Sequence, residues 1–173
     1  MALDRLFLDC SVSQLRKYTE RIAVCLGKLD EEQIWMRGGE GENAAGNLVL
    51  HLCGNVRQWI VSGVGAQPDT RDRDAEFAAR SGLAPGDLAA KLRATVEEAC
   101  SVIERVTPER LAERIVVQGY GVTVLEAIYH VVEHFSHHTG QIIFLTKALT
   151  GEDLGFYRHL SGRGAAAPGE KAP

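Results

Sequence analysis

The sequence lacks the features that mark secreted, membrane-spanning or nucleic-acid-binding proteins. Its four cysteines include no Cys-x-x-Cys pair, so they resemble neither a zinc knuckle nor a disulfide framework. No apolar run approaches the roughly 18 residues of a membrane span, and the amino terminus, MALDRLFLDC, has no long apolar signal core. The formal charge of −4 offers no broad basic surface. These absences predict a cytoplasmic protein that binds neither membranes nor nucleic acid.

The composition that remains is typical of a globular domain. The chain has 173 residues, of which 45% are hydrophobic and 24% are charged, and this size suits one well-buried domain rather than two. The final stretch, SGRGAAAPGEKAP, is rich in glycine, alanine and proline. We therefore expect a single domain over residues 1–160 and a disordered tail over residues 161–173.

The most informative segment is the predicted helix Thr123–Leu149. Thr123 and Glu126 have the spacing of a capping box, and Gly151 is placed to end the helix. At roughly 100° per residue, its apolar residues form one broad arc. The members of this arc are Val124, Ile128, Val131, Val132, Phe135, Ile142 and Leu149.

Three further segments have the periodicity of amphipathic helices, namely Leu3–Leu29, Asn43–Ser62 and Pro85–Val106. Between Ile115 and Val124, short β-branched runs flank a Gly-Tyr-Gly sequence, which predicts a small hairpin. The pattern as a whole predicts an all-α protein: a four-helix bundle with long crossover connections and a short β-hairpin before the last helix.

One of the connections, Gly63–Gly86, is long and contains the charge-dense run DTRDRDAEF. A short helix is expected around Asp74–Arg80. The run favours a solvated loop with internal ion pairs, but a loop of this length is also a candidate lid, over Gly65–Ala84, for a functional site.

Four of the six histidines lie on the main helix. His134 and His138 border the apolar arc, and their i, i+4 spacing lets two imidazoles bind one ion. His130 and His137 lie further round, with the polar residues. The helix alone also allows the pairs His130 with His134 and His134 with His137, and any such site needs a ligand from elsewhere.

His51, on the flank of the buried face of the second helix, is a candidate for that ligand. A lone histidine in such a position is usually a hydrogen-bonded residue at the edge of the core. Helical bundles, however, build metal sites from side chains on facing helices. A histidine pair on another helix therefore makes His51 a possible ligand.

Three motifs resemble the DinB/YfiT-like superfamily of metal-binding helical bundles. They are HLCGN at His51–Asn55, HFSHHTGQI at His134–Ile142 and, for one uncharacterised branch, RDRDAEF at Arg71–Phe77. The resemblance spans roughly Leu3–Tyr157. It implies a metal site formed by His51, His134 and His138, with no ligand role for His130 or His137. It also implies a homodimer.

Three imidazoles leave coordination positions open, as catalytic sites do. Zinc is the metal most suited to nitrogen ligands, although nickel, iron and manganese remain alternatives. Gln141, one turn beyond His138, and Asn55 are candidates for contacts to the ligands, with Gln141 acting as a donor. Gln141 could equally be an ordinary exposed glutamine. No catalytic residue is identified.

The resemblance implies a metal-dependent transferase that joins a low-molecular-weight thiol, such as bacillithiol, mycothiol or glutathione, to a small electrophile. The alternatives are a non-catalytic metal-binding stress or sensor protein and a metal-dependent hydrolase that uses metal-bound water. Two other classes are disfavoured. The main helix has no Glu-x-x-His motif of ferritin-like di-iron proteins, and its HVVEH sequence lacks the HExxH order of metalloproteases.

Overall fold

The computed structural model describes residues 2–160 and confirms the predicted bundle. Its four long helices are α1 (Leu3–Leu26), α2 (Ala45–Val56), α4 (Pro85–Ile103) and α6 (Val124–Thr150). The remaining elements are α3 (Arg73–Ala78), α5 (Pro108–Leu111), the strands β1 (Arg114–Val117) and β2 (Tyr120–Thr123), the π-helix Arg57–Val64, and the 3₁₀ turns Gln33–Trp35 and Arg158–Leu160. The predicted tail at 161–173 lies outside the described residues.

The four long helices enclose one apolar core. Helix α1 packs against α4 and α6, and α2 packs against the same two helices, so α1 and α2 occupy opposite corners of the bundle. Leu15, Leu52, Leu92 and Phe135, one from each long helix, are fully shielded from solvent. None of the helices within residues 2–160 has both the length and the apolarity needed to cross a membrane.

Both predicted ends of α6 are confirmed. The Thr123 hydroxyl accepts a hydrogen bond from the Glu126 backbone N–H at 3.2 Å, and the Glu126 carboxylate accepts one from the Thr123 N–H at 2.6 Å. This reciprocal pair is the expected capping box. At the other end Gly151 has a φ of 69°, a left-handed conformation that glycine adopts without strain.

The predicted hairpin is present, but its turn lies earlier than the Gly-Tyr-Gly sequence suggests. Strands β1 and β2 pair antiparallel, with Val117 opposite Tyr120. The two turn residues, Gln118 and Gly119, have φ values of 53° and 81°. Two positive values match the tight turn that suits the twist of a hairpin. Tyr120 therefore belongs to a strand rather than to the turn.

The regular α-helical hydrogen bonding of α2 ends at Val56, but the helix itself does not end there. It continues as a π-helix over Arg57–Val64, and the Gly65 N–H bonds to the Ile60 carbonyl at 2.8 Å. Such wide turns are rare, and they occur frequently at functional sites. The extension carries Trp59 into the interface with α6, where it is 4% exposed.

The connection between α2 and α4 is fastened to α2 rather than solvated throughout. Helix α3 forms its middle, as the sequence predicts, with Asp72 as its N-cap. The Asn47 side-chain amide donates to the carbonyls of Glu76 and Ala79, both at 2.9 Å. Arg37 donates to the Phe77 carbonyl at 2.8 Å. These bonds hold α3 against the face of α2 that carries His51.

Candidate metal centre

Three histidines converge where α2 faces α6. The Nε2 atom of His134 lies 3.1 Å from Nε2 of His51 and 3.1 Å from Nε2 of His138. Helix α2 supplies His51, and α6 supplies the other two residues from successive turns on one face. Within residues 2–160 these three form the one group of at least three His, Cys, Asp or Glu side chains whose ligand atoms lie close enough to hold a metal ion.

The spacing of the three nitrogens fits a metal ion. Zinc binds imidazole nitrogen at about 2.0–2.1 Å, so two such ligands at a tetrahedral angle are about 3.3 Å apart. The observed 3.1 Å separations are close to that value. The His51, His134 and His138 side chains can therefore hold a divalent ion through their Nε2 atoms.

Two of the three rings also have a partner that fixes the required tautomer. Nε2 is free to bind a metal when Nδ1 carries the proton. His51 Nδ1 lies 3.1 Å from Glu76 Oε2, and His138 Nδ1 lies 2.6 Å from Gln141 Oε1. Both oxygens accept the Nδ1 proton. Gln141 thus contacts His138 as an acceptor, whereas the sequence suggested a donor.

The Glu76 carboxylate belongs to a buried ion pair with Arg71. Arg71 donates to it through Nε and Nη2, both at 2.7 Å, and the two side chains are 4% and 10% exposed. Burial acts to raise the pKa of Glu76, but the hydrogen bonds from Arg71 and His51 and the Arg71 charge outweigh it, so the pKa is lowered. Glu76 is therefore an anion that orients His51.

Arg71 also approaches His51 itself. Its Nη2 lies 3.0 Å from His51 Nδ1, but both groups are donors when Nδ1 is protonated. The shorter contact of Nη2 with Glu76 is therefore the hydrogen bond. Gln58 accepts from Nη1 of Arg71 at 2.9 Å, which fixes the guanidinium from the side of α2.

Gly54 makes room for this ion pair against the helix. A β-carbon at Gly54 would overlap Glu76 Oε1 and lie 2.8 Å from Arg71 Nε. The histidine and the glycine of the HLCGN motif thus have linked roles. His51 points at the ligand cluster, and Gly54, three residues on, lets the carboxylate that orients His51 approach the helix.

Sequence reasoning missed Glu76 and Arg71, although their signal was present in the charge-dense RDRDAEF segment. The interpretation of that run as a solvated loop with internal ion pairs is right about the pairing and about the exposed residues 72–75, but the side chains of Arg71 and Glu76 are buried. The segment covers the Nδ1 side of His51, with the Phe77 ring 4.8 Å from the imidazole. His51 is accordingly 7% exposed.

The other polar residues singled out in the sequence lie outside the cluster. The His130 ring contacts Trp59, with ring centroids 4.2 Å apart and planes tilted by 40°, so His130 is partly buried at the helix interface. His137 is exposed. Asn55 is 4% exposed, and its Oδ1 makes no hydrogen bond within the described residues. Cys53 is also buried, and burial raises the pKa of its thiol to about 11.

The environment of the cluster lowers the pKa of His134 and His138 and so favours their neutral forms. Burial, reinforced by the neighbouring His138, His51 and His130 and by Arg71, lowers the pKa of His134 to about 3. Burial also lowers the pKa of His138, against the opposing hydrogen bond to Gln141. Metal ions bind neutral imidazole, so these shifts reduce the competition from protons.

Metal-free protein is expected to lose stability as the pH falls below about 6.5. The unfolded chain protonates its histidines near that value, whereas folded His134 stays neutral to about pH 3. The unfolded state then binds more protons, so the free energy of unfolding falls by at most about 1.4 kcal/mol per pH unit for each such histidine. Partial exposure of the rings reduces this slope. Urea denaturation in the presence of a chelator measures it.

The matched control for this slope is His134→Gln, which removes the titrating group and keeps a polar side chain of similar size. Its stability should depend less steeply on pH than that of the parent protein between about pH 7 and about pH 5. Equal slopes in the two proteins would contradict the pKa assignment.

The fold and the histidine cluster together define a helical bundle with a potential metal site, and comparison with known proteins identifies its family and its fold. Residues 2–161 match a family described as Protein of unknown function (DUF1572). The chain belongs to this family. No curated protein matches its sequence.

Solved structures show the same fold at low sequence identity. A conserved protein from Enterococcus faecalis superposes with a TM-score of 0.70 at 17% identity, covering 88% of this chain and 99% of the other. A DinB-like protein from Bacillus subtilis, YjoA, gives 0.65 at 18% identity, covering 85% and 96%. A DinB-like protein from Bacillus cereus gives 0.63 at 18% identity, covering 79% and 88%. The expected DinB-like fold is confirmed.

Proposed function

We propose that the protein is a metal-dependent transferase of the thiol S-transferase type, with its metal held by His51, His134 and His138. The observation that supports it best is the convergence of three Nε2 atoms with no fourth His, Cys, Asp or Glu side chain in the group within residues 2–160. Three histidine ligands are typical of catalytic zinc sites, whereas structural sites are closed by a fourth protein ligand.

Within this site the chain's residues have distinct tasks. His51, His134 and His138 hold the ion, Glu76 and Gln141 fix the orientation of two of the rings, and Arg71 keeps Glu76 ionised. The ion would lower the pKa of a coordinated small thiol and so favour the nucleophilic thiolate. Zinc is the expected ion because all three ligands are nitrogen. Elemental analysis would distinguish zinc from nickel, iron and manganese.

Small thiols are expected to bind at the metal, and this prediction tests the transferase directly. Cobalt-substituted protein should gain a sulfur-to-metal absorption band when the thiol is added, and it should conjugate the thiol to a test electrophile. The His51→Ala variant should lose both signals, because it lacks one of the three ligands. The exposed His137→Ala variant should keep both.

Two other outcomes would each favour a different function. If thiols leave the cobalt spectrum unchanged and a test ester is hydrolysed, a metal-dependent hydrolase is the better assignment. If neither reaction occurs while metal is bound tightly, a metal-binding stress or sensor protein is favoured. The buried Cys53, with its raised pKa, supplies no thiolate of its own, so a thiol band must come from the added compound.

We further propose that the protein is a cytoplasmic homodimer. Its four cysteines are unpaired and three of them are buried, which suits a reducing compartment. Tyr129 and Leu125, on the face of α6 turned away from the core, are 60% and 41% exposed, as an interface requires. Light scattering should give about 38 kDa, twice the chain mass of 18.9 kDa. A particle of single-chain mass at micromolar concentration would contradict the dimer.

A further inference from the structure

Unpaired buried polar atoms gather around His134, the one ligand ring whose Nδ1 atom has no partner. Within residues 2–160, four buried side-chain atoms make no hydrogen bond, namely Nδ1 of His134, Oδ1 of Asn55, Nε1 of Trp59 and Nε of Arg37. The first three belong to the interface between α2, with its π-helical extension, and α6. We propose that Asn55 orients His134 for metal binding through one buried water molecule, which Trp59 also contacts. This inference rests on the proposed metal site.

Asn55 lies on the face of α2 that meets α6, between two residues whose contacts are known. His51, four residues earlier, lies against His134, with ring centroids 5.0 Å apart. Trp59, four residues later, lies against His130 at 4.2 Å. Four residues of an α-helix return to the same face within about 40°. Because these contacts run forward along α2 and backward along α6, Asn55 is level with the turn of α6 that carries His134.

His134 is the polar side chain available to Asn55 at that level. The other α6 residues that point into the bundle from the same turns are Ala127, Val131 and Phe135, and all three are apolar and fully buried. Asn55 is itself 4% exposed. An amide buried among apolar side chains is costly unless it is hydrogen-bonded, so the Asn55 side chain needs a polar partner in this interface.

The hydrogen-bonding capacities of the three groups are complementary. When Nε2 of His134 binds a metal, its Nδ1 carries the proton and is a donor. The Trp59 indole N–H can only donate, whereas the Asn55 carbonyl oxygen accepts. These three atoms make no direct hydrogen bond with one another in the described part of the chain. One water can accept from both N–H groups and donate to Asn55, and about three such bonds are typical of a buried water.

The water would give the third ring the support that the other two rings receive from protein. Nδ1 of His51 and Nδ1 of His138 have Glu76 and Gln141 as their acceptors. Partners of this kind hold a ligating ring in position, and their loss typically weakens metal binding by about 10–100-fold. Asn55, which the sequence suggests as a contact to the ligands, is thus a positioning residue for His134.

Asn55→Leu tests this role because it keeps a branched side chain and removes the acceptor. Zinc binding, measured by competition with a chromophoric chelator, should weaken by about 10–100-fold. The matched control is Thr95→Val, which removes a polar group from a buried residue of α4, 7% exposed, that is hydrogen-bonded to Cys53 rather than facing α6. The Thr95→Val protein should bind zinc as the parent does.

Nuclear magnetic resonance separates positioning from a general loss of stability. In zinc-loaded parent protein labelled with ¹⁵N in histidine and tryptophan, the Nδ1 proton of His134 and the Nε1 proton of Trp59 should both show a nuclear Overhauser contact to a long-lived water. In Asn55→Leu both proton signals should move upfield, because they lose a hydrogen bond. The parent spectrum tests the water even if the variant does not fold.

Three other signals are internal controls in the same spectrum. The Nδ1 protons of His51 and His138 have acceptors of their own, and Trp35 donates its indole N–H to a backbone carbonyl at 3.2 Å. All three signals should keep their positions in Asn55→Leu. The proposal is overturned if these controls shift as well, or if the parent shows no water contact at His134. Zinc affinity in Asn55→Leu within about two-fold of the parent would also overturn it.

The same measurements separate this inference from the function on which it rests. If thiol conjugation fails but Asn55→Leu shows the two selective shifts and the loss of zinc affinity, the transferase assignment is lost and the role of Asn55 stands. If zinc binding and conjugation proceed in Asn55→Leu as in the parent, the role of Asn55 is wrong and the proposed function stands.

Discussion

His134→Ala is expected to abolish metal binding. His134 is the central member of the cluster, since its Nε2 lies 3.1 Å from the Nε2 atoms of both His51 and His138. Removing it leaves two ligands on different helices with no third to complete the site. Bound metal, measured by elemental analysis after dialysis, should fall from about one equivalent per chain to a small fraction of that. The cobalt–thiol band and thiol conjugation should disappear with it.

The best control for this result is His137→Ala rather than His130→Ala. His137 is exposed on the same helix, whereas His130 packs on Trp59 and its loss would alter the helix interface.

A second readout is thermal stability. A metal that binds the folded state alone stabilises it by about 2.7 kcal/mol at one hundred times its dissociation constant. Zinc should therefore raise the melting temperature of the parent and of His137→Ala, but not of His134→Ala. Full metal retention in His134→Ala would overturn the ligand assignment.

Much of this site can be predicted from the sequence because its ligands lie on regular helices. A 3.6-residue period is enough to place His134 and His138 on one face and to put that face at the edge of the core. His51 follows from a different argument, since a bundle needs a second helix to complete the site. The resemblance of the HLCGN and HFSHHTGQI motifs to DinB-like proteins points to the same three residues, and the structure brings those three together.

The orientation of His51 and the surroundings of His130 depend on contacts that helical periodicity does not predict. Glu76 and Arg71 lie in a connection without apolar periodicity, where charged residues are ordinarily solvated. Their burial becomes possible because Gly54 lacks a side chain on the opposing helix. The contact of His130 with Trp59 was missed for a related reason. Helix α2 continues into π-helical turns around Trp59, and there an ordinary helical projection no longer predicts which side chains meet.

Glu76→Ala is expected to damage both the fold and the metal site. It leaves the Arg71 guanidinium, which is 4% exposed, without its buried counter-charge. Removing one partner of a buried ion pair typically costs about 3–5 kcal/mol. His51 loses the acceptor that fixes its tautomer, and loss of such a contact typically weakens metal binding by about 10–100-fold. Denaturant titration and competition with a chromophoric zinc chelator measure the two effects separately.

Gly54→Ala tests the same arrangement without removing any charged group. The Glu76 carboxylate is the end of a flexible side chain, but it cannot simply move aside, because Arg71 and His51 both bond to it. The added methyl group should therefore displace the ion pair, lowering stability by about 1–3 kcal/mol and weakening zinc binding in the same direction as Glu76→Ala. Gly86→Ala is the matched control, since a β-carbon there meets no atom within 4 Å and alanine favours the helix. If Gly54→Ala binds zinc and unfolds as the parent does, then Glu76 does not orient His51, and the HLCGN motif contributes only its histidine to the site.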